Sequence, residues 1–139
     1  MSPRLGPAEA RERFASARVA RLATVGADGA PHLVPIVFAL LGETLYSVVD
    51  RKPKRGGELR RLANVRASGR AAVLADHYEE DWERLWWVRA DGAARVVEPG
   101  EPEARWAIAA LAERYPQQQA AGPVLAVEVE RWSGWSAGG

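Results

Sequence analysis

"RVARLATVGADGAPHLVPIVFAL", residues 18–40, is the stretch on which the fold turns. Over 19–25, Val19, Arg21 and Ala23 alternate with Ala20, Leu22 and Thr24, the period of a strand with one face turned inward. The GADG that follows sets a tight turn at Asp28-Gly29, since glycine takes the backbone conformations that such turns need. Beyond it PHLVPIVFAL, residues 31–40, is rich in β-formers, and Gly42-Glu43 marks a second turn before TLYSVVD at 44–50. Three successive antiparallel strands, a meander, are the expectation.

Working outward, residues 6–17 read as a short docking helix, with Pro7 near its start, Glu9 and Glu12 at its amino end and Ala10, Phe14 and Ala17 on one face. Leu59, Leu62 and Ala63 recur at helical spacing after Gly56-Gly57, and RAAVLAD at 70–76 reads as a strand. LWWVRADGAARVV, residues 85–97, has strand composition around a second Asp-Gly pair; a hairpin tip and a bulge inside one long strand both fit. Residues 101–115 give the clearest helix, with Ala104, Ala107, Ile108, Leu111, Ala112 and Tyr115 on one face. PVLAVEVERW at 123–132 alternates as a final strand. The expectation is a mainly β domain over 1–139, a closed or half-closed barrel of six or so strands. Residues 1–17 form a helical N-terminal segment in that reading and 133–139 a flexible tail.

Composition narrows the function. A chain of 139 residues, 47% hydrophobic, suits one core, and its lack of cysteine removes disulfides, thiolate nucleophiles and thiolate metal sites, in keeping with a reducing cytoplasm. The charged start has no apolar signal segment, and the longest apolar run, LVPIVFALL at 33–41, is too short to span a bilayer, so neither export nor a membrane is expected. A net charge of +1 lacks the basic footprint of a nucleic-acid binder. Neither a dinucleotide fingerprint nor a Walker loop occurs, and no serine sits in a nucleophile elbow. His32 and His77 belong to no ligand motif, and no metal site is expected.

Against that near-neutral balance, DRKPKRGGELRRLANVRASGR, residues 50–70, gathers both lysines of the chain, Lys52 and Lys54, with Arg51, Arg55, Arg60, Arg61, Arg66 and Arg70. Lys52, Lys54 and Arg55 follow a strand end, and Gly56-Gly57 opens a helix whose first N–H groups have no intrahelical partner, an arrangement that attracts a phosphate. Arg61 and Asn64, three apart, share a helix face expected to be solvent-exposed, opposite Leu59, Leu62 and Ala63. Six tryptophans are many for this length, and the adjacent Trp86 and Trp87 fall on opposite faces of a strand, so one ring needs a cover outside its own core: a partner subunit or a planar ligand.

Four stretches, 18–40, LYSVVDRKPKRGGELRRLANVRASGRAAVLADHY at 45–78, DWERLWWVRADGAARVV at 81–97 and the ending RWSGWSA at 131–137, together resemble the pyridoxamine 5′-phosphate oxidase-like superfamily of split β-barrel flavin and deazaflavin proteins. Within it, the chain is most similar to the PPOX-class F420-dependent oxidoreductases. The resemblance implies a homodimer of six-stranded, FMN-binding-like split barrels, each cofactor lying at the subunit interface. It implies that Lys52, Lys54 and Arg55, with Arg61 and Asn64, hold the phosphate of the ribityl chain. Val34, Pro35, Val48 and Val49 would then lie along the ring system, and Trp86, Trp87 and Trp135 would close the pocket from the partner. It favours the bulge over the hairpin at Asp91-Gly92. Pyridoxamine phosphate oxidases proper carry a basic carboxy-terminal segment for the substrate phosphate, whereas this sequence ends RWSGWSAGG, so that activity is not the expectation.

The implied activity is hydride transfer between reduced coenzyme F420 and a small organic acceptor, chemistry that needs positioning more than acid–base groups. The same fold with FMN is the alternative cofactor reading, since both cofactors carry a ribityl phosphate. A carrier for F420 or haem without turnover is the alternative of another class, with His32 or His77 as axial ligand.

Overall fold

The computed structural model describes residues 4–50, 58–118 and 120–138, with the side chains of Val49 and Asp50 left aside. Helix α1 (Pro7–Ser16) leads into β1 (Ala20–Val25), β2 (Pro31–Ile36), β3 (Ala39–Leu41) and β4 (Thr44–Asp50). Helix α2 (Arg60–Ser68) is followed by β5 (Arg70–His77), a single 3-10 turn at Trp82–Arg84, and β6 (Trp86–Val97). Helix α3 (Pro102–Arg114) and β7 (Ala120–Ser136) complete the order. The strands form one antiparallel sheet, β2-β1-β5-β6-β7-β4-β3.

The sheet has seven strands rather than six because the run at 31–40 breaks at Val37-Phe38, and its halves pair with different partners, β2 with β1 and β3 with β4. Those halves lie at opposite ends of the strand order. Three residue steps, about 11 Å at most, join Ile36 to Ala39, whereas seven flat strands would set the edges about 29 Å apart. The sheet therefore rolls up. Ala20, Leu22 and Thr24 face the interior as their alternation predicts, with Ile36, Leu45, Val73, Ala75, Val88, Ala90, Leu125 and Val127. Phe38, fully buried in the break, meets Phe14 of α1 with ring centroids 4.9 Å apart, and Phe14 meets Trp132 edge-on at 5.4 Å. Arg114 of α3 holds the seam: its guanidinium lies 4.7 Å from the Phe38 ring and donates to the carbonyls of Phe38, Ala15 and Ala17.

A second core lies outside the barrel, where α3 sets Ala104, Ala107, Leu111 and Tyr115 against Tyr46, Val48, Val97, Val124 and Ala126. Ala112, expected on that buried face, is exposed. Because α3 covers this part of the sheet, β7 is buried on both sides from Val124 to Val127. Arg95 stitches the layer at its rim, binding both carboxylate oxygens of Glu103 at 2.7 Å and Glu128 at 2.7 Å, while the Tyr46 hydroxyl donates to Glu103. Burial and that carboxylate push the Tyr46 hydroxyl up to about 12.

The Asp91-Gly92 pair lies inside one twelve-residue strand. The extra residue belongs to the neighbouring strand: Asp91 pairs Arg131 and Gly92 pairs Val129, so Glu130 of β7 is the bulge. It drives the β7 backbone onto β6, and a Cβ at Gly92 would stand 2.0 Å from the Glu128 carbonyl oxygen. Strand β7 continues through Trp135 and Ser136, in register with Trp87 and Trp86, so the segment expected as a tail is strand to Ser136. No helix among the described residues is long and apolar enough to cross a membrane.

Gly92→Ala is expected to cost about 3 kcal/mol or more, because backbone lies on the far side of the clash and neither strand can yield. Gly100→Ala, where an added Cβ meets nothing within 4 Å, is expected to stay within about 0.5 kcal/mol of the parent; urea unfolding measures both. Hydrogen bonds from Arg95 hold Glu103 and Glu128 below their ordinary value of 4.5, so the stability they add is complete above that value and is lost as pH falls through the lower folded values. Acid unfolding followed by tryptophan fluorescence is expected to show a shallower loss below that value in Arg95→Gln than in the parent.

Candidate cofactor site

Helix α2 starts at Arg60, two residues later than the glycine pair suggests, with Leu59 at its N-cap. No side chain caps this end, and the Leu59 side chain instead packs against the barrel core. The helix ends at Gly69, whose φ of 68° closes the last turn with a hydrogen bond to Val65. Between these ends the inward face is wider than the sequence indicates. Asn64, expected at the surface with Arg61, is 6% exposed and donates from Nδ2 to Thr24 Oγ1 at 3.1 Å, whereas Ala63, expected inside, is exposed. The physical reason is that the buried Thr24 hydroxyl faces inward, and the amide of Asn64 on the adjacent helix satisfies it.

Arg61, one turn before Asn64, is half-buried on the same side. Its Nε is shielded from water and has no hydrogen-bond partner among the described residues, and burial pushes its guanidinium below its ordinary pKa. His32 stands opposite Thr24 in the β1–β2 register, and its Nδ1 is likewise shielded without a partner. The satisfied pair, Asn64 and Thr24, thus adjoins two shielded nitrogens, Arg61 Nε on the same helix and His32 Nδ1 on the paired strand, that have no partner among the described residues. A half-buried guanidinium without a counter-ion is costly on its own, and an oxyanion brought by a ligand would remove that cost. These residues fit a cofactor phosphate. Lys52, Lys54 and Arg55, expected to share it, lie outside the described residues, in the segment that joins β4 to α2.

The residues expected along the ring system do not gather on one surface. Val34 is on the inner side of β2 and packs against the core, while Pro35 is on the outer side, exposed and opposite Arg21. Val48 is 5% exposed and belongs to the second core beneath α3; the parity of β4, with Leu45 inward, turns it outward under the helix. Val49 is placed in β4, its side chain outside the described set. Trp86 and Trp87 do point to opposite sides. Trp86 packs on the barrel core, stacked on His77 at 6.4 Å with the Arg13 guanidinium 5.4 Å from its ring.

Trp87 and Trp135 are cross-strand partners on the outer face. They line an open cavity of about 470 Å³ with Arg4, Arg89, Arg131 and Ser133. A neighbouring hollow of about 320 Å³, lined by Leu74, Asp76 and Tyr78, shares Trp87 and Arg89. None of the α2 residues lines either cavity. Arg131 and Ser133 were not singled out in the sequence, although Arg131, Ser133 and Trp135 repeat every second residue; stopping the last strand at Trp132 hid that period. No group of three or more His, Cys, Asp or Glu side chains that could hold a metal occurs among the described residues.

A seven-stranded antiparallel sheet rolled on itself, with α2 pressed in beside Thr24 and an indole-lined cavity on its uncovered outer face, is the architecture of a split barrel. The chain belongs to the pyridoxamine 5′-phosphate oxidase family, whose model matches residues 7–136. No curated protein matches the sequence. Among solved structures, a conserved hypothetical protein from Mycobacterium tuberculosis is similar at a TM-score of 0.75 with 23% identity, over 96% of this chain and 86% of that one. A FAD-binding protein from Mesorhizobium loti matches at 0.72 with 21% identity over 94% of both chains. A haem storage protein from Vibrio cholerae matches at 0.68 with 18% identity, over 94% of this chain and 92% of its own. At these identities the likeness is one of fold.

Stability separates the two α2 residues. Asn64→Ala is expected to cost about 1–3 kcal/mol, because it leaves a buried hydroxyl unpaired. Arg61→Met should leave ligand-free stability unchanged or raise it, since it replaces a half-buried unpaired charge with an apolar side chain of similar length. Thermal melts of both variants without added cofactor make the comparison.

Proposed function

We propose that the protein is a coenzyme F420-dependent oxidoreductase that passes a hydride from the reduced deazaflavin to a small organic acceptor. The observation that carries this reading is the half-buried Arg61 guanidinium with its unpartnered Nε, a donor in place for the phosphate of a ribityl chain. Family membership supports a cofactor of that class, and the sequence resemblance to the F420-dependent group favours the deazaflavin.

When bound, the cofactor supplies the hydride; the protein's part is to orient the two reactants and keep water out. Arg61, with Lys52, Lys54 and Arg55, anchors the phosphate. Trp87 and Trp135, contributed by the second subunit of a homodimer, close the pocket on the side from which the acceptor enters. Val25 and Leu33, 48% and 68% exposed on the sheet face that no helix covers, give that dimer its apolar contact. The acceptor takes the hydride at carbon and a proton from water, so no dedicated acid is needed.

FMN is the second reading, favoured by the FAD-binding neighbour in Mesorhizobium loti. A haem carrier has weaker support from the side chains: Nε2 of His77 is engaged by Glu79 while the ring stacks on Trp86, and His32 faces Thr24 inside the barrel.

Side-by-side titration of the protein with F420, FMN and haem tests the reading, followed by anaerobic mixing of reduced F420 with enones, quinones and tetrapyrroles. The expected outcome is tightest binding of F420 and reappearance of its oxidised absorbance as the acceptor is consumed. Stoichiometric FMN without F420 would establish the flavin reading, and tight F420 without oxidation the carrier. Arg61→Met is expected to weaken F420 about ten- to a hundredfold, the loss of one charge-assisted hydrogen bond. Sedimentation at micromolar concentration should give about twice 15.1 kDa.

A further inference from the structure

The cavity beside Trp87 and Trp135 has a composition that α2 does not explain. On the outer face, β6 presents Trp87, Arg89 and Asp91, and β7 presents Trp135, Ser133 and Arg131 directly opposite them in register. Arg89 turns along its own strand to Asp91, Nε to Oδ2 at 2.9 Å, and its guanidinium lies 5.7 Å from the Trp87 ring. That pairing occupies the carboxylate facing Arg131. Arg131 then has no acidic partner among the described residues, although Asp91 is its direct neighbour across the strands. Beside it Ser133 Oγ is shielded from water and makes no hydrogen bond to the described residues.

The described residues lining the cavity include three arginines, Arg4, Arg89 and Arg131, and no acid. At about 470 Å³ it falls in the range of small-molecule sites. Indole faces take a flat apolar ring, a guanidinium takes a carboxylate through two parallel donors, and a hydroxyl without a partner supplies a third. We propose that this cavity is the acceptor subsite and that it selects a planar ring bearing a carboxylate, held by Arg131 and Ser133 while the ring lies against Trp87 and Trp135.

The inference rests on the proposed oxidoreductase for the fate of the acceptor, but the selection of a carboxylate does not depend on which cofactor binds. Both can therefore be read separately. Titration of the cofactor-free protein with 2-naphthoate and with the neutral isostere 2-naphthamide, followed by tryptophan fluorescence and by calorimetry, measures the selection. The acid is expected to bind about tenfold more tightly than the amide. That preference should disappear in Arg131→Gln and persist in Arg131→Lys, and both probes should weaken in Trp87→Leu. Arg131 is exposed, and circular dichroism of the two Arg131 variants confirms that they fold as the parent does. Equal binding of the two probes by the parent, or a preference that survives in Arg131→Gln, overturns the proposal. F420 titration of the same parent sample isolates the other reading: carboxylate preference without F420 binding removes the deazaflavin and leaves the subsite, while F420 binding without the preference does the reverse.

Discussion

The short link at Val37-Phe38 is the constraint on which the rest of the structure depends. It carries the chain from one terminal strand of the sheet to the other, so the sheet rolls whatever its side chains prefer. Rolling creates an interior needing a plug, and the link supplies it in Phe38, packed on Phe14. The same link leaves the Phe38 carbonyl to a side chain rather than to a strand partner. Arg114 gathers it together with two carbonyls at the end of α1, and so joins α3, α1 and the seam through one cation that meets no carboxylate among the described residues.

Closure also decides where a ligand can sit. A rolled sheet has an inner surface, filled here by aliphatic side chains, and an outer one that must be covered or remain wet. Helix α3 covers the part over β4 and the first half of β7. The part carrying β2, β1, β5, the first half of β6 and the end of β7 has no helix over it, and there Leu33, Val25, Trp87 and Trp135 lie next to Arg89 and Arg131. The two candidate sites belong to different surfaces for this reason. Arg61 and Asn64 press in from α2 beside Thr24, whereas the tryptophans stand on the uncovered face.

Strand and helix positions were largely legible in the sequence, because period-two alternation at 19–25 and 123–132 and the glycines at the turns are local signals. The strand count was not, since the break at Val37-Phe38 lies inside an unbroken run of β-formers and is imposed by closure. The inward turn of Asn64 was also hidden: its partner Thr24 lies forty residues away, and helical spacing alone groups Asn64 with Arg61. Gly92 illustrates the same limit. Asp-Gly is a turn signal in isolation, but here the glycine answers a bulge at Glu130 on the adjacent strand, which no window around residue 92 contains. Val48 alternates with Leu45 as a strand residue should; that its outer face is covered depends on α3, more than fifty residues further on.

Arginine-rich chains make charge a poor guide to function unless the partner of each cation is known. Arg66 and Arg95 each bridge two carboxylates, and Arg70 meets Glu130. Arg60 and Arg105 lie on exposed helix faces where water solvates them. Arg114 meets no carboxylate among the described residues but is satisfied by three carbonyls, which makes it structural. Arg61 and Arg131 fit none of these cases. The first keeps a shielded donor unpaired beside a buried amide, and the second faces a carboxylate already engaged by Arg89 while a shielded hydroxyl waits beside it. Keeping the half-buried Arg61 donor unpaired costs stability that a ligand completing it would recover, whereas the exposed Arg131 is solvated and its place is marked instead by the shielded Ser133 hydroxyl beside it.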